Sequence, residues 1–308
     1  MEEQKIVVVG SSNTDMVLQS SHLPLPGETV LGGTFTMNPG GKGANQAVAA
    51  ARLGGNVTFI ARVGNDLFGK QAIDGFDAQG IDTRFITKDA NEASGVALIM
   101  VDEEGENSIS VALGANGTLY SNHITPALEE LKKSAFVLTQ LESPLPTVEY
   151  LGKLVQEHDL KLILNPAPAQ QLSNDLLASL YIITPNEIEA ELLSGVKVID
   201  ENSARTAAKV LRQKGVAIVI ITMGGQGAYV LSDDLDELVP SQKVKVVDTT
   251  AAGDTFNGAL VVALAEGMLL KSAIEFANRA AGYAVGILGA QTSAPFRTAI
   301  EIPTNKID

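Results

Sequence analysis

"AFVLTQLESPLPTVEYLGKLVQEHDLKLILN", residues 135–165, contains one complete unit of the fold. Two apolar runs, 135–140 and 161–165, flank a stretch with helical spacing over 146–158. The runs are continuously apolar, so each suits a strand buried on both faces. A helix between two such strands returns the chain and lets them lie parallel. Towards the C-terminus the rhythm continues with "YIIT" (181–184), helices over 186–194 and 203–214, and "VAIVIIT" (216–222). Towards the N-terminus a helix is expected over 125–133. Before it, a strand at 57–61 lies between helices at 43–53 and 67–79, and the first strand is "KIVVV" (5–9). The expected class is α/β: a doubly wound, mainly parallel sheet covered by helices on both faces.

Two segments break that rhythm. Residues 15–37 hold short β-like runs around "PLPGE" and no helical period, and "GVALIMVDEEGENSISVAL" (95–113) has the pattern of a hairpin about an acidic turn. Both flank the same early elements, so they are expected to join in a small β lid. The body would then comprise 1–14, 38–94 and 114–308.

Of the 308 residues 45% are hydrophobic, with 29 glycines and 12 prolines, a globular composition with many tight turns. Cysteine is absent, which excludes a disulfide framework, a thiolate metal site and a cysteine nucleophile. "MEEQKIVVVG" carries two acids and a very short apolar run, so no signal peptide is expected. "VAIVII" (216–221) is far short of the roughly 20 residues that span a membrane. A net charge of −14 opposes nucleic acid and anionic membranes. The expectation is a cytoplasmic protein that binds neither. It would hold any phosphorylated ligand with backbone N–H groups, a lysine or a metal.

Ligands of an open parallel sheet bind beyond the carboxyl ends of its strands. The polar residues expected there are Asn13, Asp15, Glu142, Asn165, Asn186, Gly224–Gly227 and Asp254, the last after an expected strand "KVKVV" (243–247). In "VVDTTAAGDTFNGALVVAL" (246–264) a strand, a turn of small residues and a helix start follow one another. Helix starts present unpaired N–H groups, and Ala251, Ala252 and Gly253 leave room for an anion beside them. Asp254 has two readings, an N-cap or a general base for an attacking hydroxyl.

"IITMGGQGAYVL" (221–232) runs strand, glycine turn, strand. It is either a plain hairpin or a turn kept bare for a nucleotide. No G-x-G-x-x-G opens a helix anywhere, which disfavours a nicotinamide oxidoreductase. In "TPNEIEAELLSG" (184–195), Asn186 and Glu189 can share one side of a helix start, as a cap or as a magnesium–phosphate site. "NPGGKGANQAV" (38–48) suggests a P-loop but fails it twice, with Thr36 and Gly43 where Gly and Ser/Thr are needed. Lys42 and Asn45, with Asn13, Asp15 and Glu142, instead suit a neutral polyhydroxyl ligand. His22, His123 and His158 lack metal-ligand spacing and are expected at the surface. There is no G-x-S-x-G elbow for a serine hydrolase.

"NPGGKGANQAVAAARLGG" and "DTTAAGDTFNGAL" resemble the two signature regions of the ribokinase-like, or phosphofructokinase-B, carbohydrate kinases. Asn13-x-Asp15, "LNPAPA" (164–169) and "TPNEIEAE" extend the resemblance from the first strand to about Phe296. It implies ATP-dependent phosphorylation of a sugar hydroxyl, with D-ribose at O5 ranked first. Fructose, a deoxyribose or a nucleoside stay open as acceptors. A non-catalytic sugar binder would have lost Asp254 or Gly253, and both are present.

On the same resemblance, Asp254 would be the base and Ala251, Ala252 and Gly253 the anion hole. Asn13, Thr14, Asp15, Gly41, Lys42, Gly43, Ala44, Asn45, Glu142 and Asp254 would hold the sugar. ATP would lie against Asn186, Thr222, Met223, Gly224, Gly225, Gln226, Gly227, Gly253 and Asp254, with Asn278 near the adenine. Asn186 and Glu189 would be linked to Mg²⁺. A monovalent cation, usually K⁺, would sit at Asp248, Thr250, Ala284, Ile287, Gly289 and Ser293. The lid would also make a homodimer contact.

Overall fold

The computed structural model describes residues 4–301. Residues 1–3 and 302–308, inside the domain limits drawn above, lie outside the described residues. The strands are β1 (Lys5–Val9), β2 (Asn13–Gln19), β3 (Thr34–Gly40), β4 (Asn56–Gly64), β5 (Asp82–Asp89), β6 (Gly95–Val101) and β7 (Asn107–Ala112). They continue with β8 (Ser134–Thr139), β9 (Leu162–Leu164), β10 (Ile182–Ile183), β11 (Ile218–Thr222), β12 (Gly227–Leu231) and β13 (Asp236–Pro240). Nine of them form one sheet in the order β13-β12-β11-β10-β9-β8-β1-β4-β5. It is parallel from β11 to β5, and β12 and β13 add an antiparallel edge.

The unbroken apolar runs have the structural cause inferred for them. Successive residues of a strand face opposite sides, and here both sides are packed. Val7 and Val9 join the cluster under the helices Leu145–His158 and Glu201–Gln213. Ile6 and Val8 join the one under the helices Lys42–Arg52, Ala252–Ala265 and Leu270–Ala284. The non-conforming segments make a separate four-stranded sheet, β3-β2-β6-β7, in which β2 pairs with β6 in parallel. It begins at Asn13, so Asn13 and Thr14 belong to this small sheet rather than to the body. No helix among the described residues is long and apolar enough to cross a membrane.

Two expectations need correction, and two strands were not expected. "KVKVV" is not a strand: β13 is already the sheet's edge, and Val244, Val246 and Val247 stand exposed without a pairing partner. The helix expected over 125–133 is broken into short pieces, Ser121–Ile124, a turn at Thr125–Ala127 and Leu128–Lys132, because Pro126 has no N–H to bond back to the preceding turn and Ala127 leaves helical backbone. The edge strands β5 and β13 were unforeseen, since "DTRFITKD" and "DELVP" mix charges with apolar residues as half-covered strands do.

The first and last signature segments meet where the Lys42–Arg52 and Ala252–Ala265 helices cross. A Cβ on Gly258 would stand 2.7 Å from Ala49 Cβ and 2.8 Å from the carbonyl of Gln46. In an open helix Gly→Ala stabilises by about 0.5–1 kcal/mol. Here Gly258→Ala should instead destabilise by about 1–3 kcal/mol, because the helices must part. The midpoint of urea unfolding reads the sign, and a raised midpoint would refute the close crossing.

Candidate active site

Strand order reverses between β1 and β8, since the chain proceeds from β1 through β4 to β5 on one side and from β8 to β11 on the other. Beyond the carboxyl ends at this switch point lies a cleft lined by Lys42, Asn165, Thr184, Asn186, Glu189, Thr222, Ala251–Asp254 and Asn257. The turns after β1 and β8 touch directly there, with Ser11 Oγ donating to Glu142 Oε2 at 2.6 Å.

The geometry separates the two readings of Asp254. Its helix starts at Ala252, with Ala251 as an N-cap residue that makes no side-chain cap bond. Asp254 is therefore the third helical residue, and its carboxylate caps nothing. It is 5% exposed and accepts from Asn45 Nδ2 at 3.0 Å and from Gln46 Nε2 at 2.9 Å. Ala251 has φ 57° and ψ 15°, left-handed backbone that costs a non-glycine residue about 1–2 kcal/mol. The N–H of Ala252 donates to Thr249 O at 3.2 Å, while those of Gly253 and Asp254 find no acceptor among the described residues. A Cβ on Gly253 would meet nothing within 4 Å. The N–H of Ala251 has no acceptor among the described residues either, so the bare donors are at 251, 253 and 254, and Ala252 alone of the expected three is spent elsewhere.

The glycines around Lys42 serve close packing. A Cβ on Gly41 (φ 89°) would come within 2.7 Å of Asn13 N, and one on Gly43 within 2.5 Å of Ser11 N. Gly43 and Ala44 direct their N–H groups to Ser11, at 3.3 and 2.8 Å, and lie buried behind the cleft. Thr14 and Asp15 follow Asn13 on β2, and Asp15 fills the space that the missing side chain of Gly40 leaves. Glu142 Oε2 also accepts from Lys42 N at 3.0 Å, so this carboxylate closes the helix start.

Burial, with the charges of Glu142 and Asp254, pushes the Asp15 carboxyl up to about 6, partly opposed by Lys42. Burial alone would lower Lys42, but the carboxylates of Asp254, Glu142, Glu189 and Asp15 outweigh it and hold the ammonium above its ordinary range. Asn13 Oδ1 accepts from Asn116 Nδ2 at 2.7 Å, which leaves its amide hydrogens for a ligand. Asn45 Oδ1 is buried without any partner. Acceptors and donors intermingle, as alternating hydroxyls require.

At the far end Asn186 and Thr222 stand side by side in a lone parallel bridge. Asn186 and Glu189 form a reciprocal capping box, with both bonds at 2.9 Å, so the cap reading holds. Glu189 still lines the cleft, its carboxyl raised chiefly by burial. Gly224 and Gly225 face open space, whereas a Cβ on Gly227 would collide with Val239 O. Met223 is buried, Gln226 lies in the turn Gly224–Gln226, and Asn278 donates to the carbonyls of Val239 and Pro240; none of the three lines the cleft.

The residues assigned to a monovalent cation gather at a second turn. Asp248 accepts from Thr250 N, Thr250 Oγ1 and Gly289 N at 2.6–2.8 Å, and its own N–H reaches Val285 O. Burial would raise its carboxyl, but these bonds outweigh it and hold it below the usual range. Ala284 O accepts from Ile287 N at 3.0 Å, and Ser293 is fully buried. One ionised carboxylate among carbonyl and hydroxyl oxygens is a hard-oxygen set that suits an alkali cation. Among the described residues no cluster of three or more His, Cys, Asp or Glu side chains forms a metal site.

Sequence reasoning missed Gln46, Asn116 and Asn257, all buried and all bonded to site residues. Gln46 left a signal, as a lone long polar residue in the alanine-rich run after Asn45. His123 is half-buried against Arg62 and its Nδ1 accepts from the Tyr120 N–H at 3.0 Å, rather than standing free in solvent.

A family model described as pfkB family carbohydrate kinase matches residues 3–297. The chain belongs to the pfkB carbohydrate kinase family. Within it, a ribokinase of Haemophilus influenzae is 44% identical over 95% of each chain. The solved structure of a Thermotoga maritima ribokinase is 38% identical and covers 97% of this chain and 98% of its own, with a TM-score of 0.89. An Arabidopsis thaliana ribokinase solved in complex with ribose and ATP is 32% identical over 97% and 98%, with a TM-score of 0.87.

The raised Asp15 carboxyl gives this kinase fold a testable pH signature. Between its usual value of 3.8 and about 6 the folded chain holds a proton that the unfolded chain has released, so Asp15 makes stability fall as pH rises through that window. Asp15→Asn should therefore raise the thermal midpoint of the ligand-free protein at pH 8 and leave it nearly unchanged at pH 4. Equal shifts at both pH values would refute the burial account.

Proposed function

We propose that the chain transfers the γ-phosphoryl group of ATP to O5 of D-ribose, yielding D-ribose 5-phosphate and ADP. The observation that carries this is Asp254, a buried carboxylate without a capping role, placed at a helix start whose next free donors are the N–H groups of Gly253 and Asp254. Its relatives' names, and the relative solved with ribose and ATP, support the choice of substrates.

On this reading the sugar lies against Asn13, Asp15, Lys42, Asn45 and Glu142, with the orphaned Asn45 Oδ1 accepting from a hydroxyl. Asp254 takes the proton of the O5 hydroxyl as O5 bonds to the γ-phosphorus. The bond to the β,γ-bridging oxygen breaks, and ADP leaves with its electron pair. The donors at 253 and 254 receive the negative charge of the transferring group, where positioning and charge stabilisation supply most of the rate. Lys42, the cation among the residues lining the cleft, bridges the sugar and phosphate sides.

Asn186, Thr222 and the bare glycines at 224 and 225 bound the nucleotide. Magnesium, bound near Glu189 through waters, would supply charge neutralisation on the phosphates. The Asp248 turn would hold K⁺ and so fix the backbone that leads into Ala251. An ATP-consuming reaction of this kind suits the cytoplasm.

The small sheet closes the sugar side and offers a homodimer contact. Register places Leu18 with Phe35, and Met16 with both Met37 and Leu98, on the face opposite Asp15. Phe35, Met37 and Leu98 are all more than half exposed, an apolar patch that a second copy would cover.

ADP release measured over a panel of sugars, with and without K⁺, tests the reading. Ribose should be the preferred acceptor, and a nucleoside or 2-deoxyribose turned over well above it would overturn the specificity. Asp254→Ala should lower turnover about 100- to 10,000-fold while calorimetry still detects ribose binding. Near-normal turnover would remove Asp254 from the role of base. Omitting K⁺ should reduce the rate, and indifference to the cation would refute its assignment to Asp248 and Ser293.

A further inference from the structure

Asp254 does not stand alone at the cleft floor. Gln46, fully buried, gives one Nε2 hydrogen to Asp254 Oδ1 at 2.9 Å and the other to Asn165 Oδ1 at 3.0 Å. Its own Oε1 accepts from Gln140 Nε2 at 2.7 Å. That third bond fixes which way the Gln46 amide faces, because a flipped amide would oppose donor to donor and carbonyl to carboxylate. The chain of bonds then continues. Asn165 Nδ2 donates to Thr184 O, Thr184 Oγ1 to Asn257 Oδ1, and Asn257 Nδ2 to Gly253 O, at 3.2, 2.7 and 2.8 Å. The circuit closes on the residue next to Asp254. One end holds the carboxylate and the other holds the peptide beside the bare N–H groups.

We propose that Gln46 is a positioning residue for phosphoryl transfer, orienting the Asp254 carboxylate through a closed amide circuit that also fixes the anion-binding turn at Gly253. Gln46 itself touches neither sugar nor phosphate; it acts through Asp254. The inference rests on the assignment of Asp254 as the base. The charged groups that face Asp254 from other elements are Asp15 on β2, Glu189 on the helix Glu187–Ser194, and Lys42. Gln140 is made possible by Gly10, since a Cβ there would stand 2.1 Å from Gln140 Oε1.

The test compares Gln46→Met, Gln46→Glu and Gln140→Met in the full chain, by kcat, ribose KM, pH–rate profile and thermal midpoint. Gln46→Met should lose kcat on the order of 10-fold or more with ribose KM within about twofold, the split expected of a group that serves only the chemical step. Gln46→Glu should move the acidic limb of the kcat profile upward by about one pH unit, since a like charge replaces the donor. Gln140→Met, which leaves Asp254 untouched, should show a smaller loss of the same kind, and it carries the test if the Gln46 variants fail to fold. Unchanged kcat in Gln46→Met, an unmoved profile in Gln46→Glu, or a Gln140→Met variant equal to wild type would each overturn the proposal. A wild-type chain that phosphorylates no sugar would overturn the base assignment and this inference with it. Active wild type with indifferent variants overturns this inference alone.

Discussion

A carboxylate cannot be taken out of water without hydrogen-bond partners, and Asp254 finds its partners on a helix 209 positions earlier in the chain. That single requirement brings the two ends of the fold together. The Lys42 helix must press against the turn after β1, which Gly41 and Gly43 permit. It must also cross the Ala252 helix closely, which Gly258 and Ala49 permit. The small residues that dominate both segments follow from this approach. They look like phosphate-loop glycines in the sequence, yet around Lys42 their geometry serves helix packing.

The site is assembled against local preference. Ala251 adopts left-handed backbone, Asp15 sits buried among other carboxylates, and Asn45 keeps an unpaired buried oxygen. Each of these is unfavourable by itself. A negatively charged protein with one lysine in its cleft has no field to draw a nucleotide in. Short-range backbone donors take on that task.

The central sheet was legible because its strands are apolar on both faces, and the small sheet because one segment had no helical period and the other carried an acidic hairpin turn between two strand-like runs. The edge strands β5 and β13 escaped notice since one-sided burial leaves charged residues in a strand. "KVKVV" misled for the opposite reason, having strand alternation but no neighbour to pair with. At the candidate site, Asn13, Glu142, Asn186 and Asp254 were expected from position alone, as polar residues that follow strand-like runs. Gln46 and Asn257 were not: Gln46 showed locally only as a lone long polar residue among alanines, and a helix position by itself does not separate a glutamine bonded to a distant carboxylate from one facing solvent. Their meaning depends on contacts across the fold, between residues far apart in the chain.

β2 begins with Asn13 and Asp15 on one face and carries Met16 and Leu18 on the apolar side of the small sheet. The groups proposed to face the sugar and the outward-facing hydrophobes are therefore carried on one strand. On that proposal, whatever grips the outside of the strand acts on the sugar site, and a filled site holds the strand in turn. Occupancy within and adhesion without become two handles on the same lever.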